Sequence, residues 1–363
     1  MNRDTISPSQ LTILVTAYTF GSSLVLGSTN IAVRSGWIAM ALGTVEGLLI
    51  ALLFTTLSKR FQHQNLVQAS QQVFGRILGA IPSLLFIWFM LQLGGLVLGN
   101  FEDYFEITML QATPAIWFGI PLGLVAAYAV SKGVDTLARS TTILLPLIIL
   151  LELSTFVALL GEMIPENFLP LIDVGGKQLL AVAHSAGMFP FAESVVFLMM
   201  LPHLPAKCDT RKPVLGGLLL AGLVLTMSTF RNIAVLGAAI ENVVFPSFTA
   251  TRLISVGEVF TRLEIISAVS FLTMGFVKVS VLLYGAAAAI AELCGLRSHQ
   301  PLILPVGVLM VILSITDFQH GFAESHVFIT ETWPYYAPLF AVGLPLVILL
   351  GAMVFGKPRR DEQ

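Results

Sequence analysis

The stretch HSAGMFPFAES, residues 184–194, sets Gly187, Pro190 and Glu193 within seven positions of an otherwise apolar run. Proline has no backbone N–H and its ring collides with the carbonyl four residues back, here that of Ala186, so a helix is expected to break; Gly187 is expected to let it unwind. A second stretch, TFGSSLVLGSTN (19–30), places Gly21, Ser22, Ser23, Gly27, Ser28 and Thr29 inside another apolar run. Backbone groups freed within a bilayer must be satisfied by a ligand, by water or by neighbouring helices. Half-helix N-termini suit a carboxylate, and freed carbonyls suit an ammonium or a small cation. A zwitterionic amino acid supplies both. Gly21, Ser22 and Ser23 are therefore candidates for carboxylate or backbone contact, and Gly187, Met188, Phe189, Pro190 and Phe191 for the pocket wall. The plainer alternative is a proline kink without a ligand, with Met188, Phe189 and Phe191 as core.

Ionisable residues form the second set. Glu46, Glu152, Glu193, Lys278 and Glu292 all fall in or near apolar segments, where a Lys or Asp costs at least about 2.5–3.5 kcal/mol to insert. Such groups pair or line a wet cavity. Glu193, three residues past Pro190, can cap free N–H groups or form a salt bridge. Lys278, deep in FLTMGFVKVSVLLY, demands a partner, and two roles stand open for it. It supplies a positive charge where related transporters hold a sodium ion, fixed or dependent on a proton, or it forms a structural pair with an acid such as Glu193 or Glu46. Glu152 is a weaker candidate for proton or ion work, and Glu292 reads as interfacial. His320, Glu324, His326 and Glu331 share one late loop whose spacing matches no metal pattern, so a solvated loop is expected there and a cation site is the alternative. Cys208 and Cys294 fit neither a disulfide nor a metal spacing. No cofactor is expected. No nucleophile–base pair or phosphate loop points to an enzyme.

These residues need a membrane scaffold to position them. Of the 363 residues 56% are hydrophobic and 11% charged, against roughly 25% charged in a soluble domain. The net charge of −2 lends no support to nucleic-acid binding. The polar start MNRDTISPSQ resembles no signal peptide, so the first span is expected to direct insertion. A hydrocarbon core about 30 Å thick takes about 20 apolar residues of helix. On that ruler ten spans are expected, near 11–33, 36–57, 78–100, 115–131, 141–161, 180–202, 214–236, 265–293, 301–316 and 336–355. With the N-terminus inside, 13 of the 19 basic residues fall in inner segments. The outer ones are Arg34, Lys177, Arg231, Arg252 and Arg262, and the outer loops include the acidic FEDYFE (101–106). Both termini are therefore expected in the cytoplasm. Residues 59–76 read as a helix on the inner surface. Residues 237–264 read as an outer cap of short helices broken at Pro246, either a lid or a plain surface helix.

The two interrupted segments hold corresponding positions, first and sixth, in two five-span halves. That is the pattern of an inverted-repeat transporter. The expected fold is a single all-α integral membrane domain, 1–363, of ten transmembrane helices, with repeats over about 11–161 and about 180–355 and broken first and sixth helices.

FPFAESVVFLMMLPHL (189–204), the long block FPSFTATRLISVGEVFTRLEIISAVSFLTMGFVKVSVLLYGAAAAIAEL (245–293) and GWIAMALGTVEGLLIALLFTTLSKRF (36–61) resemble the spore germination receptor B-subunit family. That family belongs to the amino acid-polyamine-organocation superfamily, so the resemblance implies a five-plus-five, LeuT-like fold. It further implies an inner-membrane subunit that works with A and C subunits to detect nutrients such as amino acids or nucleosides. It carries Gly21 to Leu24 onto the unwound stretch of the first span, Gly187 to Glu193 onto that of the sixth, and Lys278 onto the basic position of the eighth. Two departures bear on the pocket: Ser22 and Ser23 follow Gly21 with no proline before Arg34, and Ala192 stands where many members read PFGE. A self-sufficient proton- or cation-coupled amino-acid transporter is the second reading, and a passive water or ion pathway the third.

Overall fold

Local capping starts the first helix. Ser7 Oγ accepts from the Gln10 backbone N–H at 3.2 Å, the Ser7 N–H donates to the Gln10 side chain at 2.8 Å, and Pro8 takes the first helical position, where its missing N–H costs nothing. The computed structural model describes residues 5–21, 23–24, 26, 29–61, 64–205, 208–253, 264–317 and 327–355. The described residues form helices. In chain order they are α1 (Pro8–Phe20), α2 (Gly36–Arg60), α3 (Leu66–Leu78), α4 (Ala80–Thr108), α5 (Ile116–Ser131), α6 (Val134–Ala158), α7 (Gly176–Ala186), α8 (Arg211–Leu236), α9 (Pro246–Arg252), α10 (Glu264–Leu293), α11 (Ile303–Asp317), α12 (Trp333–Pro338) and α13 (Leu344–Val354). Short 3-10 or π-helical turns join several of them.

Eight helical runs among the described residues are long and apolar enough to cross a membrane. They include Gly176–Met199, which continues α7 through its break, and Thr330–Val354, which joins α12 to α13. The expected fourth span is the shorter α5, and the expected first span is divided into α1 and a 3-10 segment over Asn30–Ser35. Helix α6 displays the sorting of side chains that a bilayer imposes. Leu137, Thr141, Leu145, Ile148, Glu152 and Thr155 are buried at three- and four-residue intervals. Ile143, Leu147, Leu150 and Val157 on the other faces are exposed and apolar, as hydrocarbon contact requires. Helix α10 sits at the centre, packed against α1, α4, α5, α6 and α9.

Two expectations change. FEDYFE is part of the C-terminal end of α4 and not a loop: Glu102 is 3% exposed and accepts from Ser314 Oγ at 3.0 Å. Arg231 is not in an outer segment but lies within α8, 1% exposed, because Glu152 is there to receive it. At Pro246 the 3-10 turn over Gly237–Asn242 gives way to α9, which the proline opens. Of residues 59–76, Lys59 and Arg60 close α2, and the helix expected there is α3, which starts after the Asn65 cap. Lys207, Arg262 and the His320, Glu324 and His326 positions lie outside the described residues, and Glu331 is exposed.

Candidate ligand-binding site at two helix breaks

Helix α1 stops where glycine lets it. Gly21 adopts φ 27°, ψ −117°, a conformation that L side chains rarely take, and its N–H makes the last helical bond, to the Ala17 carbonyl at 3.1 Å. Ser23 and Leu24 then turn back, both N–H groups donating to the Phe20 carbonyl. Ser22, Gly27 and Ser28 lie outside the described residues. The Leu24 carbonyl, freed from any helix, accepts from Ser247 Oγ at 2.7 Å, so a neighbouring element satisfies it. Ser23 Oγ is buried without a protein partner.

The second break falls inside the expected Gly187–Glu193 stretch, at Phe189. Gly187 keeps helical angles, and the non-helical residue is Phe189 (φ −124°, ψ 109°), joined to Pro190 by a cis peptide bond within a π-helical turn over Gly187–Phe191. Proline restricts the residue before it to extended angles, which moves the break onto Phe189. Gly187 serves contact instead: a Cβ there would fall 2.5 Å from Glu46 Oε2, and one on Gly43 of α2 would fall 2.7 Å from the Gly187 nitrogen. Beyond Pro190 the chain runs as a 3-10 helix over Ala192–Met199. Met188, Phe189, Pro190 and Phe191 are all buried, the three apolar ones as part of the main core.

Lys278 joins the two breaks. Its Nζ lies 2.5 Å from Glu193 Oε2, and both residues are 0% exposed. The same nitrogen lies 5.0 Å from the Phe189 ring centre and 5.3 Å from that of Tyr18, within cation–π range. The Lys278 side chain also runs against Gly21 so closely that a Cβ on Gly21 would overlap it. Tyr18 donates to the Glu193 carbonyl at 3.3 Å. Glu193 therefore forms the salt bridge and not the helix cap. Its other oxygen, Oε1, is buried without a hydrogen-bond partner.

The remaining buried charges have separate partners. Arg231 Nη1 contacts Glu152 Oε2 at 3.2 Å and Thr155 Oγ1 at 2.5 Å, and its other nitrogens reach Ser228 and Asn232. Asn232 Nδ2 continues to Ser247 Oγ at 3.0 Å, the hydroxyl that holds the Leu24 carbonyl. Glu46 binds His184 and not Lys278. Sequence reasoning overlooked Arg231, Asn232, Ser247 and His184. A periodicity test of α8 carries the signal for Arg231, which falls three and four residues from the buried Ser228 and Val235. Buried hydroxyl or amide oxygens without a partner also occur on Asn100 of α4 and on Ser270 and Ser280 of α10. No group of three metal-ligating side chains occurs among the described residues.

Known proteins resemble this chain in sequence and fold. The family model of spore permeases, described as "Spore germination protein", matches residues 5–321. Spore germination protein KB of Bacillus subtilis (strain 168) is 28% identical over 367 residues, covering 100% of this chain and 98% of its own. Spore germination protein XB of Bacillus anthracis is 25% identical over 270 residues, 73% of this chain and 72% of its own. Among solved structures, Mhp1, a nucleobase-cation-symport-1 family transporter with bromovinylhydantoin bound, superimposes with a TM-score of 0.68 over 95% of this chain and 77% of its own, at 14% identity. A sodium-coupled sialic acid symporter gives 0.69 at 11% identity, over 97% of this chain and 80% of its own. MhsT in complex with L-phenylalanine gives 0.64 at 13% identity, over 95% and 97%. These likenesses establish the transporter fold, and neither the family nor its structural neighbours are enzymes. With its multi-pass helical body and a match over nearly its whole length, the chain belongs to the spore germination permease family.

Proposed function

We propose that this chain is the ligand-binding membrane subunit of a nutrient germinant receptor in the spore inner membrane. A small germinant, an amino acid in this reading, is held at the midplane between the Gly21–Leu24 and Gly187–Phe191 breaks, with help from α4 and α10. The carrying observation is Lys278, which touches Gly21 on one break and Phe189 and Glu193 on the other. A ligand that prefers one packing of the broken helices shifts that junction, and A and C subunits read the shift. The fixed ammonium of Lys278, tied to Glu193, stands in this reading where a sodium-coupled relative binds its ion, which favours sensing over cation-driven movement. The fold is taken as ten spans in two inverted five-span repeats, about 11–161 and 180–355, with both termini in the cytoplasm and segment 237–264 as outer cap.

The test is thermal-shift screening of the purified chain in nanodiscs against amino acids, sugars and nucleosides, repeated on Ser23→Ala. Stabilisation by amino acids, weakened at least severalfold in the variant, is expected; an unchanged response in Ser23→Ala overturns the placement of the site. The second reading, a proton- or cation-coupled amino-acid transporter, shares the fold and pocket. Robust counterflow of labelled amino acid by this chain alone in proteoliposomes establishes that reading and removes the receptor-only one. Vesicle swelling without ligand would instead favour a water or ion pathway.

A further inference from the structure

His184 opens the motif around the second break, yet the Lys278 junction does not use it. Its Nδ1 lies 2.7 Å from Glu46 Oε1 on α2, and its Nε2 lies 3.0 Å from the Pro334 carbonyl oxygen at the start of α12. A backbone carbonyl only accepts, so Nε2 carries a proton. An ionised carboxylate also only accepts. Both contacts therefore exist together only when imidazole and carboxyl share one proton more than neutral histidine and carboxylate hold: imidazolium against Glu46 carboxylate, or neutral imidazole against protonated Glu46. Without that proton the Nδ1 lone pair faces a carboxylate, and the contact is repulsive.

The surroundings make this pair consequential. The two side chains are 37% and 33% exposed, and the exposed apolar Leu42 and Leu49 lie one helical turn from Glu46 on α2, as Leu180 does from His184 on α7. A low-dielectric face favours the net-neutral, proton-loaded pair over the anionic one. The Glu46 carboxylate is also lodged against Gly187, the first residue of the broken turn. Other titratable groups on the elements packed against α7 and α2 have their own partners or none here: Lys59 pairs with Asp209, Arg60 donates to the Ala352 carbonyl, Tyr336 bonds Trp88 and Gln92, Arg231 meets Glu152, and Glu193 meets Lys278. Arg34, Lys177 and Tyr335 make no hydrogen bond or ion pair with either His184 or Glu46.

We propose that His184, Glu46 and the Pro334 carbonyl form a proton-binding latch, closed when the pair holds its shared proton, that straps the half-helix α7 and its break to α2 and α12. Loss of the proton opens the His184–Glu46 contact and frees α7 to move relative to α2. The latch acts whatever ligand occupies the breaks.

Hydrogen exchange of the full chain in nanodiscs of neutral lipid, followed from about pH 5 to about pH 9 and corrected for intrinsic exchange, reads the latch directly. Residues 176–191 are expected to lose about tenfold of their protection per pH unit through the transition that lies between proton release from the open and from the closed pair, the slope of one linked proton, and to level off above it. In Glu46→Gln the amide N–H donates to Nδ1 of neutral imidazole, so protection is expected to stay flat with pH. Flat protection in the unsubstituted chain, or an unchanged transition in the variant, overturns the latch. Ring-nitrogen NMR of His184 adds a reading that needs no variant: Nε2 is expected to be protonated below the transition, and a bare Nε2 there overturns it too.

Discussion

The ammonium of Lys278 sits 2.5 Å from the carboxylate of Glu193, and neither residue has any surface exposed. Two full charges at such depth are tolerable only because each neutralises the other. The pair bridges the central helix α10 and the 3-10 segment after the second break, while the methylene stem of Lys278 lies against Gly21 of the first. One ion pair thus sets the distance between the two interruptions that distinguish this chain from a plain helical bundle.

Removing one partner leaves the other buried and uncompensated. Lys278→Met or Glu193→Leu alone is expected to cost about 3–5 kcal/mol, whereas the double variant is expected to recover most of that loss, since apolar replacements of buried pairs are often near neutral. Thermal unfolding of the three variants in nanodiscs checks this. Additive losses would mean that the pair carries no coupling.

Gly21 is held both by its angles and by its neighbour. Gly21→Ala places a Cβ where the Lys278 side chain already lies and keeps an L residue at φ 27°. A cost of about 1–3 kcal/mol is expected from the backbone alone, with a shift of Lys278 in addition. Gly175→Ala is the control, because a Cβ there meets nothing within 4 Å and its φ of −63° suits any residue. Equal melting temperatures for the two variants would contradict the assignment.

Much of this architecture is written in apolar run length. The limits of α2, α8 and α10 fall within a few residues of those expected from hydropathy, because a bilayer demands long apolar helices and tolerates little else. The two breaks were legible for the same reason, as glycine, serine and proline are conspicuous in such runs. The packing role of Gly187 was not, since it depends on how closely α2 approaches the break. Pairing among the acids was only half legible. Lys278 had to find an acid, but whether Glu46, Glu152 or Glu193 supplies it is decided by how the helices approach one another, and two of the three are claimed by His184 and Arg231.

A second clamp lies between α6 and α7. Asp173 accepts from Ser35 Oγ at 2.6 Å and from the backbone N–H groups of Arg34 and Ser35, which ties the loop before α7 to the start of α2. Desolvation alone would raise its pKa, but those hydrogen bonds outweigh it and hold the carboxyl below its ordinary value of 3.8. A depressed folded-state pKa means stability present above the unfolded value and lost as pH falls through the folded one. Limited proteolysis between Leu169 and Gly175 is expected to stay slow down to about pH 4 and to accelerate below it. Asp173→Asn is expected to give fast cleavage at neutral pH; cleavage as slow as in the unsubstituted chain would remove the clamp.

The first break is connected to α9 by a chain of polar contacts running from Glu152 through Arg231 and Asn232 to Ser247, whose hydroxyl holds the Leu24 carbonyl. Ser247→Ala removes the hydroxyl and leaves both that carbonyl and the Asn232 amide short of a partner, at a cost of about 1–3 kcal/mol. Arg231→Met strands the Glu152 carboxylate and is expected to cost more, about 3–5 kcal/mol, because a charge is left behind and not only a dipole. The two sites share one network, so their effects are expected to combine to less than the sum of the single losses. A double-mutant cycle on thermal unfolding measures that coupling. Strict additivity would mean that Arg231 stabilises α6 against α8 without reaching the break, and that Ser247 alone fixes the Leu24 carbonyl.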